Sequence, residues 1–377
     1  GFTACKVSAD VSRETGIMTR MNTPIKNFTQ SDLASLMKEL GQPSFRAKQL
    51  YEWLYSKGAQ SYEDMTNLPA KLRAQLSEEH PLYVPSVLEE AVSNDGTHKL
   101  LLEYHDGVCV ETVAIPSRNG DRLTVCFSTQ AGCPMACSFC ATGKEGLTRN
   151  LTAGEIADQI VTVQRLMGRR VTNVVGMGQG EPLLNYGNVL GALRIINDEK
   201  GLGIGARHIC ISTCGIIPGI DRFAEEPEQF TLAVSLHAAQ QDVRLQLMPK
   251  TSGFPLPKLK QSLLRYIEKT NRRVTFEYIM IDGVNDTDAD LTALLDFCKG
   301  SEWMSYSLPQ DEDHELLVPF PWDELYVHYL EAMVYYSNGE FDRYRNSYEM
   351  FNKKELDYRQ WYARNQLPTT LEALERR

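Results

Sequence analysis

The chain has 377 residues and a formal net charge of −10, with 42% hydrophobic and 23% charged residues. These proportions are those of ordinary globular domains and exclude a disordered, collagen-like or coiled-coil protein. No apolar run reaches the roughly 18 residues of a membrane helix, and residues 1–17 lack the apolar stretch of a signal peptide. Nine cysteines in such a chain favour ligands, catalysts or buried thiols over a disulfide framework. We therefore expect a soluble, cytoplasmic protein.

Acidic and aromatic residues are concentrated at the C-terminal end. Residues 301–377 contain 8 Lys and Arg against 15 Asp and Glu, three of the four Trp, nine of the 17 Tyr and none of the Cys. The remaining 300 residues are close to charge balance, so a basic groove is compatible with the negative total. This change in composition predicts a domain boundary near Gly300.

Residues 28–79 have helical periodicity. Leu33, Leu36, Met37 and Leu40 recur at the spacing of one helix face, and a turn signal at Gly41 separates them from a second apolar stripe. The pattern predicts a small helical bundle. Its basic side chains either form a solvated face or contact RNA, and the sequence leaves both open; these side chains are Arg46, Lys48 and Lys57.

From residue 85 the pattern becomes that of strands. Residues 99–104, 108–115 and 123–127 alternate apolar and polar side chains, as antiparallel strands do. Further along, Thr152 and Glu155 form a capping box that predicts the start of a helix.

After residue 128, strand-like and helix-like stretches alternate. Such alternation predicts parallel βαβ units, in a barrel or an open sheet, with ligands at the carboxyl ends of the strands. The predicted strands cover 171–175, 209–212, 230–236 and 274–280, and the predicted helices include 257–269 and 288–297.

Three cysteines form the strongest chemical signal. Cys133, Cys137 and Cys140 have the spacing C-x₃-C-x₂-C, so their thiols can converge on one inorganic centre from a single loop. A structural zinc ion requires four ligands, for which Cys126 is a candidate fourth. Three thiolates on a four-iron cluster leave one iron open to a substrate or cofactor. Buried thiols without a ligand are the remaining alternative.

This cysteine spacing, followed by a parallel βα pattern, resembles the radical S-adenosylmethionine (SAM) superfamily. Residues 30–300 further resemble the RlmN family of dual-specificity 23S rRNA and tRNA adenine-C2 methyltransferases, to which the C8-directed Cfr enzymes are related. The resemblance lies in residues 45–55, 65–69, 110–113, 126–140, 176–185, 212–215, 234–237 and 280–286. It implies a partial parallel (β/α) barrel of the radical SAM type.

The resemblance also implies roles for single residues. Cys133, Cys137 and Cys140 bind a [4Fe–4S] cluster; Glu111 is the base that deprotonates the adenine adduct. Cys126 is the second catalytic cysteine, which forms a disulfide when a protein–RNA crosslink is resolved. The residues implied to bind SAM are Gly180, Glu181, Ser212, Ser235, Leu236 and His237. From the residues alone, Glu111 is a solvent-facing strand residue, Cys126 and His237 are packed strand-end side chains, and residues 176–180 are a glycine-rich turn.

The resemblance thus implies methylation of adenosine C2 in 23S rRNA and tRNA by a monomer that consumes two SAM molecules and takes electrons from a donor such as flavodoxin. It divides the chain into an N-terminal extension (1–20), a helical accessory domain (21–84), a radical SAM core (85–300) and an atypical tail (301–377). The family carries its methyl-accepting cysteine in the C-terminal segment, whereas no cysteine follows Cys298 here.

Three alternatives stay open. The first is a relative that cleaves SAM without methylating RNA. The second is a C8-directed enzyme. The third is a non-catalytic RNA-binding or zinc-binding protein.

Overall fold

The structure, a computed structural model, describes residues 22–117, 120–298, 345–346, 348–354 and 356–357. The chain divides into two compact units. The first unit comprises residues 1–237 and 241–278, and the second comprises residues 238–240 and 279–377. The predicted domain boundaries are not the same divisions and stay predictions.

The first unit begins with three helices. They are α1 (Gln30–Glu39), α2 (Phe45–Tyr51, continued by the π-helical turn Glu52–Ser56) and α3 (Ala70–Glu79). Thr29 and Asp32 form a capping box that satisfies the free amides at the start of α1. Gly41 has φ +65° in the turn after α1, which a residue without a Cβ adopts at little cost. The helical periodicity of residues 28–79 is therefore confirmed.

Apolar side chains from these helices form their own core. The helical stripe predicted from the sequence is buried at Leu33, Leu36 and Met37, whereas Leu40, at the end of α1, is only partly buried. Ala157, from a helix of the following α/β region, belongs to the same buried cluster.

An eight-stranded mixed sheet forms the centre of the first unit. Its strands, numbered along the chain, are β1 (Ser86–Val92), β2 (His98–Glu103), β3 (Cys109–Pro116), β4 (Leu123–Cys126), β7 (Asn173–Gly176), β8 (Ile209–Thr213), β9 (Thr231–Ser235) and β10 (Val274–Glu277). They pair in the order β1-β2-β3-β4-β7-β8-β9-β10. Strands β1 to β4 pair antiparallel, and β4, β7, β8, β9 and β10 pair parallel. Within the described residues β1 and β10 do not pair with each other. The predicted α/β class and partial barrel are confirmed.

Strand β4 joins the two pairing types. Its last residue, Cys126, lies opposite Val113 of antiparallel β3 on one side and opposite Val175 of parallel β7 on the other. The antiparallel hairpins therefore extend the sheet away from the parallel strands. A separate two-stranded sheet, β5 (Gln130–Gly132) and β6 (Leu147–Asn150), follows β4 directly.

Helices connect the parallel strands. They are α4 (Ala141–Glu145), α5 (Ala153–Met167), α6 (Tyr186–Asn197), α7 (Ile217–Phe223), α8 (Gln241–Leu247) and α9 (Leu256–Thr270). The predicted capping box opens α5, where the Thr152 side chain accepts from the Glu155 amide. Ile156, Ile160 and Val163 of α5 are fully buried. These three side chains recur at the spacing of one helix face and form the side of α5 that packs into the core.

In the second unit, α10 (Asp288–Cys298) confirms the predicted helix at 288–297. The Asn285 side chain donates to the carbonyl of Ile279 and accepts from the amide of Ile281, which fixes the loop before α10. No helix among the described residues is long and apolar enough to span a bilayer. The predicted extension 1–20 lies outside the described residues, and so does the predicted tail 301–377 except for 345–346, 348–354 and 356–357.

A buried ion pair connects the N-terminal segment to α5. Lys26 Nζ lies 2.5 Å from Asp158 Oδ1, and the two side chains are 6% and 5% exposed. Burial raises the pKa of Asp158 to about 6 although Lys26 acts in the opposite direction. Gly154 permits this approach, because a Cβ there would meet the Lys26 backbone oxygen at 2.6 Å.

Replacing Lys26 with Met should strand the buried Asp158 carboxylate and lower the free energy of unfolding by about 3–5 kcal/mol. The double variant Lys26→Met/Asp158→Leu should recover most of this loss, because it removes both charges. Urea denaturation measures the free energy of unfolding of the parent, the single variant and the double variant. The matched control, Lys269→Met, removes an exposed pair with Glu225 and should cost less than about 1 kcal/mol. Equal losses in the single and double variants would contradict the electrostatic explanation.

Candidate active site

A cavity of about 220 Å³ lies among the loops that follow the parallel strands. Cys133, Cys137 and Cys140 all line it, so the fold brings together the three cysteines singled out by their spacing. Polar side chains at or just after the carboxyl ends of β7, β8, β9 and β10 complete the wall, where ligands of parallel sheets bind. They are Glu181, Ser212, Ser235, His237 and Glu277.

Backbone hydrogen bonds fix the cysteine loop at both ends. The amide of Cys133 donates to the carbonyl of Gly146 at 2.8 Å, and the amide of Ser138 donates to the carbonyl of Leu247, at the end of α8, at 2.9 Å. The backbone of Gly132 lies so close to Gly146 that a Cβ at position 132 would be 2.0 Å from the Gly146 carbonyl oxygen. A side chain at position 132 would therefore displace the start of the loop.

The three thiols suit an iron–sulfur cluster, whose inorganic core is cationic before thiolates bind it. Burial, followed by the neighbouring Cys133 and Cys140, raises the pKa of Cys137 to about 11. A cationic core offsets both causes of the raised pKa, because it replaces the solvation lost on burial and weakens the repulsion between neighbouring thiolates. Across the described residues, no three His, Cys, Asp or Glu side chains converge closely enough to hold one metal ion. The three thiols line one cavity, and their number suits a four-iron cluster with one iron left open.

Gly180 and Glu181 bring the segment after β7 against the first strand of the small sheet. Gly180 has φ +101°, and a Cβ there would lie 2.6 Å from the Gln130 side chain, so only glycine fits. The Glu181 carboxylate accepts from Thr213 Oγ1 and from the Cys214 amide, both at 2.7 Å. Burial raises the pKa of Glu181, and these hydrogen bonds oppose the shift. The side chain is thus held at the cavity wall with little freedom.

Ser212, Ser235 and Glu277 form a hydrogen-bonded group across three adjacent strands. Both serine hydroxyls donate to Glu277 Oε2, at 2.8 and 2.7 Å, and their oxygens are 3.2 Å apart. The sequence singled out the two serines but missed Glu277. Glu277 lies in the middle of the predicted strand 274–280, so no sequence signal placed it at the site. The observed strand ends at Glu277, which brings its side chain to the edge of the sheet where ligands gather.

His237 follows β9 in an unusual backbone conformation, with φ +55°. Its ring packs edge-on against Phe139 of the cysteine loop, with 4.9 Å between centroids. Burial lowers the pKa of His237 to about 4, so the imidazole is neutral at physiological pH. The neighbouring Leu236 side chain is fully buried and does not line the cavity, so it can reach a ligand there only through its backbone.

Two residues assigned catalytic roles by resemblance do not line the cavity. Cys126, at the end of β4, lies close behind the cavity. Burial raises the pKa of its thiol to about 11, and the backbone amide of Met177, a residue that lines the cavity, acts in the opposite direction. Glu111 Oε1 instead lies 2.5 Å from Lys99 Nζ on the neighbouring strand, and the Lys99 and Glu111 side chains are 52% and 42% exposed. The structure therefore places Cys126 beside the cavity and Glu111 on the sheet surface.

Two family models match the chain. The radical SAM superfamily matches residues 127–295, and the "Ribosomal RNA large subunit methyltransferase N-terminal domain" matches residues 23–81. A solved radical SAM methyltransferase from Sphaerobacter thermophilus is 44% identical, with a TM-score of 0.70, and the match covers 74% of this chain and 82% of that one.

Curated relatives give the same result. A protein of Clostridium novyi (strain NT), described as "Probable dual-specificity RNA methyltransferase RlmN", is 43% identical over 277 residues, or 73% of this chain and 80% of its own length. A protein of Symbiobacterium thermophilum with the same description is 47% identical over 281 residues, or 74% of this chain and 75% of that protein. The chain therefore belongs to the RlmN family of radical SAM dual-specificity RNA methyltransferases.

Proposed function

We propose that this protein methylates C2 of adenosine in 23S rRNA and in tRNA. The observation that carries the proposal is the convergence of three thiols and four strand ends on one cavity, in a chain that shares 43–47% identity with RlmN relatives. Radical SAM enzymes of this family use a [4Fe–4S] cluster and SAM. Bound there, the cluster supplies an electron, and SAM supplies the methyl group and a 5′-deoxyadenosyl radical.

In this proposal Cys133, Cys137 and Cys140 hold the cluster. Their donor chemistry supports this, because three thiolates leave a fourth iron open. The loop fixed at Gly146 and Leu247 keeps the thiols in place before loading. Preorganised ligands of this kind lose little conformational entropy when they bind.

The polar wall binds SAM. Glu181, beside Gly180, offers a carboxylate to an amino group, since an acceptor in a buried position attracts a cationic donor. Leu236 contributes through its backbone. The neutral ring of His237 offers an aromatic surface. Ser212, Ser235 and Glu277 together offer hydroxyl and carboxylate oxygens to the hydroxyl groups of SAM.

Cys126 and Glu111 are the proposed reaction residues outside the cavity wall. The position of Cys126 next to Met177 supports its role as the thiol that attacks an activated sulfur to form a disulfide. In the structure every described cysteine is a free thiol. Glu111 serves as a base when RNA displaces Lys99 from its carboxylate, because a base must reach the proton it removes.

The finer assignments concern partners and location. The N-terminal helices carry Arg46 beside Phe45 and Lys57 over the Trp53 ring, which is the combination of basic and aromatic side chains that binds single-stranded RNA. An electron donor such as flavodoxin, a monomeric state and a cytoplasmic location complete the proposal.

The decisive test incubates the reconstituted, reduced protein with SAM and an unmodified 23S rRNA fragment or tRNA. We expect 2-methyladenosine in the nucleoside digest, measured by mass spectrometry, together with 5′-deoxyadenosine. The triple variant Cys133→Ala/Cys137→Ala/Cys140→Ala should lose bound iron, sulfide and both products.

Other outcomes of this test would overturn the proposal. Formation of 5′-deoxyadenosine without a methylated base would indicate an enzyme that cleaves SAM but does not methylate RNA. 8-Methyladenosine would indicate a C8-directed enzyme. Stoichiometric zinc without iron and sulfide would indicate a non-catalytic protein.

Replacing Glu277 with Gln should weaken SAM binding about tenfold or more, since a hydrogen bond to a charged group contributes about 1.5–3 kcal/mol. Equilibrium dialysis with the cluster-loaded protein gives the dissociation constant. The matched control is Glu268→Gln, which changes an exposed residue of α9 and should leave the dissociation constant unchanged. Equal affinities in the two variants would remove Glu277 from the binding site.

Replacing Cys126 with Ala should abolish 2-methyladenosine while 5′-deoxyadenosine still forms, because the thiol acts after SAM cleavage. Cys210→Ala is the matched control: it removes another partly buried thiol, one residue into β8, and should leave both products. Loss of both products in Cys126→Ala, with the cluster still loaded, would assign this residue to an earlier step.

A further inference from the structure

Among the described residues, one arginine is completely buried, behind the cysteine loop. Arg244, in the middle of α8, is 0% exposed. Its guanidinium donates to the Cys214 carbonyl at 2.6 Å, to the Ser235 carbonyl at 3.2 Å and to the Leu236 carbonyl. These carbonyls follow or end β8 and β9. Arg244 therefore ties α8 to two of the strands whose ends form the cavity.

The charge of Arg244 has no ionic counterpart among the described residues of the first unit. No carboxylate lies within salt-bridge distance, its Nε atom has no hydrogen-bond partner, and Glu181 is separated from it by the Cys214 peptide. Burial lowers the pKa of Arg244, but a guanidinium remains protonated in proteins. An uncompensated buried charge is costly unless a neighbouring group offsets it.

The groups that favour this charge are thiols at the cavity. Cys214, whose carbonyl accepts from Arg244, and Cys137 both line the cavity. As thiolates they act to raise the pKa of Arg244, against the larger effect of burial. Arg244 also lies 3.6 Å from the sulfur of Met248, and Met248 lines the cavity. In addition, the helix that carries Arg244 ends at Leu247, whose carbonyl holds the cysteine loop through Ser138. The positive charge thus faces the place where thiolates gather.

We infer that Arg244 is a positioning residue whose buried charge compensates the negative charge of the thiolate-bound cluster and favours its reduced form. This inference rests on the proposed role of the three cysteines. Three thiolates make the site anionic, and an added electron increases that charge. A fixed cation without a partner of its own then stabilises the reduced state more than the oxidised state, because it interacts with one additional negative charge.

A purely structural role makes a different prediction. If Arg244 only connected α8 to the strand ends, its removal would lower the stability of the apo and loaded proteins equally and leave the reduction equilibrium unchanged. Charge compensation predicts instead that the arginine stabilises the cluster-loaded protein more than the apo protein.

The test compares Arg244→Met, which removes the charge, with Arg244→Lys, which keeps it. At one redox poise, read by electron paramagnetic resonance, the reduced-to-oxidised ratio of Arg244→Met should fall roughly tenfold, equal to about 59 mV for a one-electron couple. Arg244→Lys should retain a ratio within about threefold of the parent. In the same variants, the rise in melting temperature on cluster loading should shrink in Arg244→Met only.

Arg207→Met is the matched control. It removes the same charge from an exposed position just before β8, at the opposite end of the strand, and should leave the ratio unchanged. An unchanged ratio in a folded, iron-loaded Arg244→Met protein would overturn the inference, and so would equal shifts in the Met and Lys variants. Failure of the unmodified protein to bind iron and sulfide would instead overturn the proposed function.

Discussion

The parallel register of β4, β7, β8, β9 and β10 is the constraint on which the site depends. Because neighbouring strands run in the same direction, each delivers the residues that follow it to one edge of the sheet. Glu181, Ser212, Ser235 and Glu277 come from four separate parts of the sequence and meet there. The cysteine loop closes the same edge, since it follows β4 through the small sheet. A strand paired in the opposite direction would send its polar residues to the far edge.

Two buried ionisable side chains, Glu181 and Arg244, lie beside the cavity. Glu181 and Arg244 lie on opposite sides of Cys214, one bonded to its amide and the other to its carbonyl. A fold that only had to be stable would replace such groups with apolar side chains, since unpaired buried charges cost free energy. Under the proposed function and the inference for Arg244, ligands of opposite charge account for their presence: an amino group for Glu181 and an anionic cluster for Arg244.

The contrast with Lys26 and Asp158 supports this interpretation. Those two buried charges neutralise each other at 2.5 Å and join the N-terminal segment to α5. They need no ligand, and their effect is on stability. Arg244 is equally buried but has only carbonyl partners among the described residues. Burial by itself therefore does not indicate a role at the cavity, and the inference for Arg244 rests on burial without a counter-charge.

The sequence by itself determined the elements and the chemistry that depend on nearby residues. Periodicity gave the helices of residues 28–79, the capping box gave the start of α5, and the spacing of Cys133, Cys137 and Cys140 gave a shared inorganic centre, because all of these arise within a few residues. Only the tertiary structure decided which distant side chains join that centre. Glu277 and Arg244 come from a strand and a helix more than 100 residues beyond the cysteines, and Glu111 points to Lys99 instead of the cavity. Such placements depend on strand order and register, which no local pattern encodes.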